Sequence, residues 1–258
     1  MIEFKNVNHY FISQNNDLHV LRNLSFCVPK NGFTAIVGPS GCGKSTITKL
    51  IAGLLKPNSG EIRIDSKKVL SPRSNIGMAF QNPVLLEWRS IIKNIMLPLE
   101  IVSNNLNPDE RKKRGRDLLK LVGLSDYENS RPSELSGGMK QRASLCRALI
   151  HRPEVLILDE PFGALDAFTR EDLWLTLKRL RKQESFTCLI ITHDLREALF
   201  LADEVIVLSG RPATNQYCVK TENKAEDNLD QLYTSNATKL LNLLREQISI
   251  ARLKEGSK

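Results

Sequence analysis

One stretch constrains this chain more than any other. It is Gly38-Pro39-Ser40-Gly41-Cys42-Gly43-Lys44-Ser45-Thr46, which fits the pattern G-x-x-x-x-G-K-[ST]. Residues 33–37 before it, all apolar but Thr34, read as a short buried strand. Residues 47–55 after it read as a helix that must stop near Pro57. Strand, glycine loop and helix form the context in which such a loop cradles phosphates. The glycines let successive backbone N–H groups face one concavity, and the new helix adds its positive dipole end. In that setting Lys44 reaches the outer phosphates and Ser45 holds Mg²⁺. The loop alone does not say which nucleotide is bound or what its cleavage drives.

Composition narrows the class. With 41% hydrophobic residues, 258 residues can bury a sizeable core, as one large α/β domain or two small ones. No stretch approaches ~18 uncharged apolar residues, so no spanning segment is expected. The start, Met1-Ile2-Glu3-Phe4-Lys5, lacks the pattern of a secretory signal. Cys27, Cys42, Cys146, Cys188 and Cys218 are scattered without C-x-x-C spacing, which points to reduced thiols in a cytosol. His9, His19, His151 and His193 show no metal-ligand spacing.

The formal charge of +8 raises the question of nucleic acid or an anionic surface. Its densest run is Arg111-Lys112-Lys113-Arg114-Gly115-Arg116, flanked by acids and followed by Leu118, Leu119, Leu121 and Val122. That pattern is most simply the solvated face of an amphipathic helix.

In chain order, residues 1–32 read as antiparallel strands, with Tyr10 at the end of the first. Residues 61–65 and 75–80 are further strand candidates, the latter leading to Gln81. Residues 83–153 are helical and basic, without a convincing strand, as in a helical insert. Within them, residues 90–101 form a helix expected to kink or end at Pro98. Asn107-Pro108-Asp109-Glu110 starts another, with Gly123 as its stop. Leu135-Ser136-Gly137-Gly138-Met139-Lys140-Gln141-Arg142 opens a third, whose N-terminal end can meet an anion. Residues 155–160 are a buried strand ending in Asp159 and Glu160, placing two carboxylates at a carboxyl edge where ligands bind in open parallel sheets. Residues 187–192 lead to His193, Asp194 caps residues 195–202, and residues 204–208 form the last core strand. Beyond Gly210 the core pattern fades, residues 221–230 are polar, and residues 229–253 suggest a terminal amphipathic helix. Alternating apolar strands and helices indicate an α/β fold with a mostly parallel sheet.

Five features thus fall in one order: the phosphate loop, Gln81, the Leu135–Arg142 stretch, the Asp159-Glu160 strand and His193. Over about residues 1–210 the chain resembles the ATP-binding cassette family, in its transporter ATPase subunits. That resemblance implies a P-loop nucleoside triphosphatase core with an N-terminal antiparallel β subdomain and a helical insert over about residues 83–153. Residues 1–210 would be the ATPase domain and residues 211–258 a C-terminal tail. ATP and Mg²⁺ are the implied cofactors. Tyr10 matches the aromatic that stacks on adenine, and Gly38 to Thr46 the triphosphate cradle. Asp159 would hold Mg²⁺, Glu160 would orient and deprotonate the attacking water, Gln81 would touch Mg²⁺ or that water, and His193 would bond the γ-phosphate. Ser136, Gly137 and Gly138 would face the phosphate loop of a second copy, with Asp166 at that junction, in a head-to-tail dimer. Cys42 would be only a tolerated spacer.

The segment Phe80–Arg89, with Pro161–Ala167 and Ser209-Gly210-Arg211-Pro212, resembles the importer branch for nitrate, sulfonate, taurine and related small solutes. Glu87 departs from it, since a proline usually stands there. The implied protein is a cytoplasmic ATPase subunit on the inner face of the membrane. It would energise uptake through separate permease subunits docked near residues 81–89, with an external solute-binding protein. A soluble cassette acting on nucleic acid or ribosomes is the competing class. Its members usually carry two cassettes, a long coiled coil or zinc cysteines, and this sequence has none. A non-hydrolysing scaffold is the third, and intact Glu160 and His193 argue against it.

Overall fold

The computed structural model describes residues 1–12, 17–102, 107–221 and 228–253. Along them run β1 (Ile2–Phe11), β2 (Leu18–Val28), β3 (Phe33–Val37), α1 (Lys44–Ile51), β4 (Ser59–Ile64), β5 (Lys67–Lys68), β6 (Ile76–Ala79), α2 (Ile91–Ile101) and α3 (Pro108–Leu121). There follow α4 (Gly137–Leu149), β7 (Val155–Asp159), α5 (Ala167–Glu184), β8 (Thr187–Ile191), α6 (Leu195–Leu201), β9 (Glu204–Leu208), β10 (Asn215–Lys220) and α7 (Ser235–Leu253). The chain divides into two compact units, Met1–Arg73 with Thr187–Lys258, and Ser74–Phe186.

The first unit holds two sheets. One is antiparallel, in the order β2-β1-β4-β5. Its register shifts between Phe4 and Val7, where Asn6 takes a positive φ of 49°, a backbone state asparagine tolerates better than most residues. The other places β3 between β8 and β9, parallel to both, with β10 antiparallel on the outside of β9. All five residues of β3 and of β8 are buried, which is why these strands are apolar but for Thr34 and Thr187 instead of alternating.

Helix α1 departs from expectation at both ends. It begins at Lys44, inside the phosphate loop, and closes at Ile51 instead of near Pro57. Gly53, at φ 73°, turns the chain there: its N–H meets the Leu50 carbonyl at 3.1 Å, and the Leu54 N–H meets the Lys49 carbonyl at 2.9 Å. That paired closure ends a helix without any proline. β10 is a strand that the fading pattern after Gly210 did not announce. The terminal helix is present as α7, preceded by a 3₁₀ turn over Leu229–Tyr233. Of the polar stretch expected over residues 221–230, positions 222–227 lie outside the described residues.

The second unit pairs β6 and β7 in parallel and carries α2, α3, α4 and α5. Helix α3 starts as expected. Asn107 accepts the Glu110 N–H at 2.9 Å, while the Glu110 carboxylate accepts the Asn107 N–H at 2.8 Å. Pro98 neither ends nor caps α2, which continues to Ile101, and the Val102 N–H reaches the Pro98 carbonyl at 2.8 Å. Two arginines of the basic run of α3 are used within the unit, while Lys112 and Lys113 are exposed. Arg114 forms a fork with Glu184 at 2.9 and 3.1 Å and also donates to the Leu149 and Ile150 carbonyls at the end of α4. Arg116 pairs with Glu128 at 2.7 Å. Among the described residues no helix is long and apolar enough to cross a membrane.

Candidate functional site

In the first unit, parallel pairing sets two of the predicted site segments at one sheet edge. Ile36 pairs with Ile191, and two residues beyond each lie Gly38 and His193. The phosphate loop and the exposed His193 therefore leave neighbouring strands at the same carboxyl end. The N-cap of α1 is Gly43, whose φ of 115° is open to glycine and which offers no side chain to its first-turn N–H groups. A side chain there would also meet Val20 Cγ1 of β2 at 2.7 Å. Backbone donors and helix dipole are thus left for an anion.

Lys44 is buried, and its Nζ donates to the Gly38 carbonyl at 3.0 Å and the Pro39 carbonyl at 2.7 Å. Its ammonium is held inside the loop by the loop's own oxygens. Ser40, Gly41 and Ser45 are exposed, Thr46 is half-buried, and Pro39 and Cys42 are buried. The Ser45 hydroxyl is therefore accessible, whereas Cys42 faces the packed side. Tyr10 stacks on His19 of β2, ring centroids 5.2 Å apart and planes 20° from parallel. It is half-exposed and pairs with the residue next to Val20, the residue that touches Gly43.

In the second unit the same geometry recurs. Ala79 pairs with Leu158, and two residues beyond each lie Gln81 and Glu160. Glu160 has a φ of 47°, a left-handed turn that stops β7 after the buried Asp159. The Gln81 Nε2 donates to Glu160 Oε2 at 3.0 Å, leaving the Gln81 Oε1 as an acceptor.

Ser136 caps α4, its hydroxyl accepting the Met139 N–H at 3.3 Å. Gly137 opens on free space, whereas a side chain at Gly138 would strike Leu165 Cδ2 at 2.8 Å. Asp166 caps α5 and accepts the Thr169 N–H at 3.0 Å, and that bond holds its carboxyl below the usual range. Sequence reasoning assigned nothing to Gln141, yet this buried side chain knits the group together. It donates to the Gln81 carbonyl at 3.2 Å and accepts the Ala164 N–H at 3.1 Å. The hints the sequence carries are its place in the Leu135–Arg142 stretch and its position one helical turn beyond Gly137. Each unit thus gathers its own predicted residues: Tyr10, residues 38–46 and His193 in one, and Gln81, residues 136–138, Asp159, Glu160 and Asp166 in the other.

A family model described as ABC transporter matches residues 21–163. The chain is 36% identical over 238 residues to the aliphatic sulfonates import ATP-binding protein SsuB of Bacillus thuringiensis subsp. konkukian, covering 90% of this chain and 93% of that protein. It is 43% identical over 195 residues to the taurine import ATP-binding protein TauB of Rhizobium johnstonii, covering 76% and 74% respectively. Among solved structures, the dimeric post-hydrolysis state of the ATP-binding cassette MJ0796, bound to ADP and Pi, matches with a TM-score of 0.78 and 30% identity over 85% of this chain and 98% of that one.

Proposed function

The chain belongs to the ABC transporter family and is an ATPase, and from that premise we propose that it energises uptake of a small solute through a separate membrane permease. The supporting observation is its likeness, over most of its length, to subunits named for sulfonate and taurine import. Nitrate and bicarbonate transport subunits are similar as well, at 43% and 38% identity. All four names denote small anionic or zwitterionic solutes, and this chain's solute falls in that class.

In this reading the phosphate loop, Gly38 to Thr46, grips the triphosphate, and Tyr10 stacks on adenine after its ring leaves His19. Glu160 orients and deprotonates the attacking water, Gln81 positions that water, and His193 bonds the γ-phosphate. Phosphoryl transfer asks for little beyond such positioning and charge neutralisation. The candidate metal donors are the Ser45 hydroxyl, the Asp159 carboxylate and the Gln81 Oε1. All are hard oxygens, the donor type that suits Mg²⁺. A bound Mg²⁺ would supply charge neutralisation to the phosphates.

Ser136, Gly137 and Gly138 serve the ATP site of a second copy, so the working form is a head-to-tail dimer with Asp166 at the junction. The MJ0796 cassette is a dimer with ADP and Pi bound, which favours this assembly. Residues 1–210 act as the ATPase domain, with residues 83–153 as its helical insert and residues 211–258 as a tail. The subunit works on the cytoplasmic face of the membrane, docked on the permease near residues 81–89, with a solute-binding protein outside. Co-purification from membranes, followed by ATPase assays with candidate solutes and binding protein, tests the whole reading. Solute-stimulated hydrolysis in a permease complex is the expected result, and failure to recover any membrane partner would overturn it.

A further inference from the structure

The turn joining β9 to β10, residues 209–214, is more firmly built than a surface connection requires. The Ser209 hydroxyl accepts the Thr214 N–H at 2.9 Å, donates to the Gly210 carbonyl at 3.0 Å and lies 3.0 Å from Thr214 Oγ1. The Ser209 N–H meets the Thr214 carbonyl at 3.0 Å. Ala213 is fully buried and ties the turn to β2. Its N–H donates to the Val20 carbonyl at 2.8 Å, and its carbonyl accepts the Arg22 N–H at 3.0 Å.

From this frame Arg211 reaches the phosphate loop. Its Nε donates to the Gly41 carbonyl at 3.1 Å, and its Nη2 donates to the same oxygen. In a trans peptide the carbonyl and the next N–H point in opposite directions. Holding the Gly41 oxygen outward therefore turns the Cys42 N–H inward. That N–H lies 3.4 Å from the Pro39 carbonyl, the same oxygen that Lys44 holds. Gly41, at φ 76°, and Gly43, at φ 115°, flank Cys42, so the peptides around it are the ones most free to rotate in the absence of a restraint.

We propose that Arg211 is a positioning residue for nucleotide binding, a guanidinium fork that presets the Gly41–Cys42 peptide so that the loop meets the phosphates already shaped. This rests on the reading of residues 38–46 as the ATP site. Ordering the loop in advance removes part of the cost of binding. A preset cradle holds ground state and transition state alike, so its loss raises KM and leaves kcat. Lysine cannot replace the fork, because one ammonium on a flexible stem lacks two coplanar donors.

The test is equilibrium binding of a fluorescent ATP analogue to the full chain and its R211A and R211K variants. It is joined to steady-state hydrolysis and thermal unfolding of the same three proteins. Both variants are expected to bind about tenfold more weakly and to show a KM raised about tenfold, with kcat changed less than about twofold. The thermal midpoint should stay close to the parent's, since Arg211 is half-exposed. Parent-like affinity in R211A would overturn the proposal. Parent-like affinity in R211K would also overturn it, because it would reduce the role of Arg211 to charge alone. A fall in kcat at constant KM, or a drop in midpoint matching the loss of affinity, would do the same. If the parent itself bound no ATP, the reading of the loop would fail along with the clamp.

Discussion

Gln81 and Glu160 stand two residues beyond the Ala79–Leu158 pair on neighbouring parallel strands, and the amide of the first donates to the carboxylate of the second at 3.0 Å. One segment follows a four-residue strand and the other a five-residue strand, so backbone register alone delivers both side chains to one edge. The left-handed backbone at Glu160 then turns the chain away, so that β7 ends there. The proposed base is thereby already oriented by the proposed water-positioning residue.

Glu160→Gln tests that pairing. Glutamine keeps the length of the side chain and an oxygen for the Gln81 Nε2, but it cannot take a proton from water. Hydrolysis should fall on the order of 10²–10⁴-fold while ATP binding persists, because general-base catalysis typically contributes that much. With turnover blocked, size-exclusion chromatography in ATP should show a dimer. Phosphate release at the parent rate, or a monomer alone in ATP, would sink the assignment.

Arg114 supplies a stability prediction. Its side chain and that of Glu184 are 13% and 14% exposed, and the guanidinium also holds the last carbonyls of α4. Arg114→Ala leaves a largely buried carboxylate without its partner and takes the guanidinium from the Ile150 carbonyl, while the Leu149 carbonyl keeps the Arg152 N–H. Breaking such a pair from one side costs about 3 kcal/mol or more. Chemical denaturation should show that loss, with Arg114→Ala/Glu184→Leu recovering part of it. An unchanged midpoint in the single variant would mean that the pair contributes little.

Local signals were legible in the sequence and tertiary ones were not. The capping pair Asn107–Glu110, Ser136 at the start of α4 and Asp194 at the start of α6 stand where short-range chemistry places them. β2, β8 and β9 were readable because uniform or patterned burial writes itself into the residue types. α1 ended early because Gly53, a single positive-φ residue, outranked the more conspicuous Pro57. Pro98 sits within a helix because the rest of α2 packs well enough to tolerate one missing N–H. Asn94 looks like an ordinary polar residue in sequence, and Gln141 and Arg211 stand in motif stretches without any sign of what their side chains hold. Gln141 and Arg211 act on carbonyls far along the chain, and Asn94 on a loop just before it whose path the residue types do not announce.

Two histidines set a pH prediction. Burial lowers the pKa of His9, and a Lys56 backbone hydrogen bond only partly opposes it. Burial also lowers that of His151, helped by the nearby Arg114 charge and opposed by an Ile76 backbone hydrogen bond. Both are therefore neutral in the folded state under conditions where the unfolded chain, with a histidine pKa of about 6.5, takes up protons. The unfolded state then binds more protons, so stability rises with pH. The contribution is complete above about pH 6.5 and is lost as pH falls through that value toward the lowered folded pKa. Thermal unfolding at pH 7.5 and 5.5 should show a lower midpoint at 5.5. His9→Gln/His151→Gln should flatten the difference. A midpoint that rose on acidification, or an undiminished slope in the double variant, would contradict this account.

Trp88 is 74% exposed, yet the backbone that presents it is held rigidly. Asn94, fully buried in α2, is the reason. Its Oδ1 accepts the Leu86 N–H at 2.7 Å, and the two hydrogens of its Nδ2 are shared among the carbonyls of Leu86, Arg89 and Ser90 at 3.0 to 3.1 Å. Arg147 holds the Val84 carbonyl at the start of the same segment, and Arg89 pairs with Glu100 at 2.8 Å. A large aromatic on a stiff loop loses little conformational freedom on contact, the usual property of a residue that dominates an interface. In the proposed permease docking, Trp88→Ala should therefore leave the thermal midpoint and ATP affinity unchanged. Association with the permease should weaken at least about thirtyfold, the effect of removing a central aromatic anchor. Asn94→Ala should differ in kind, lowering the midpoint as well, because it takes the partner from the Leu86 N–H and from the Arg89 carbonyl, while the Leu86 and Ser90 carbonyls keep the Arg89 and Asn94 N–H groups. Uptake assays in membranes, run beside ATP binding on the purified chain, separate the two. Normal uptake by Trp88→Ala would place the docking surface elsewhere.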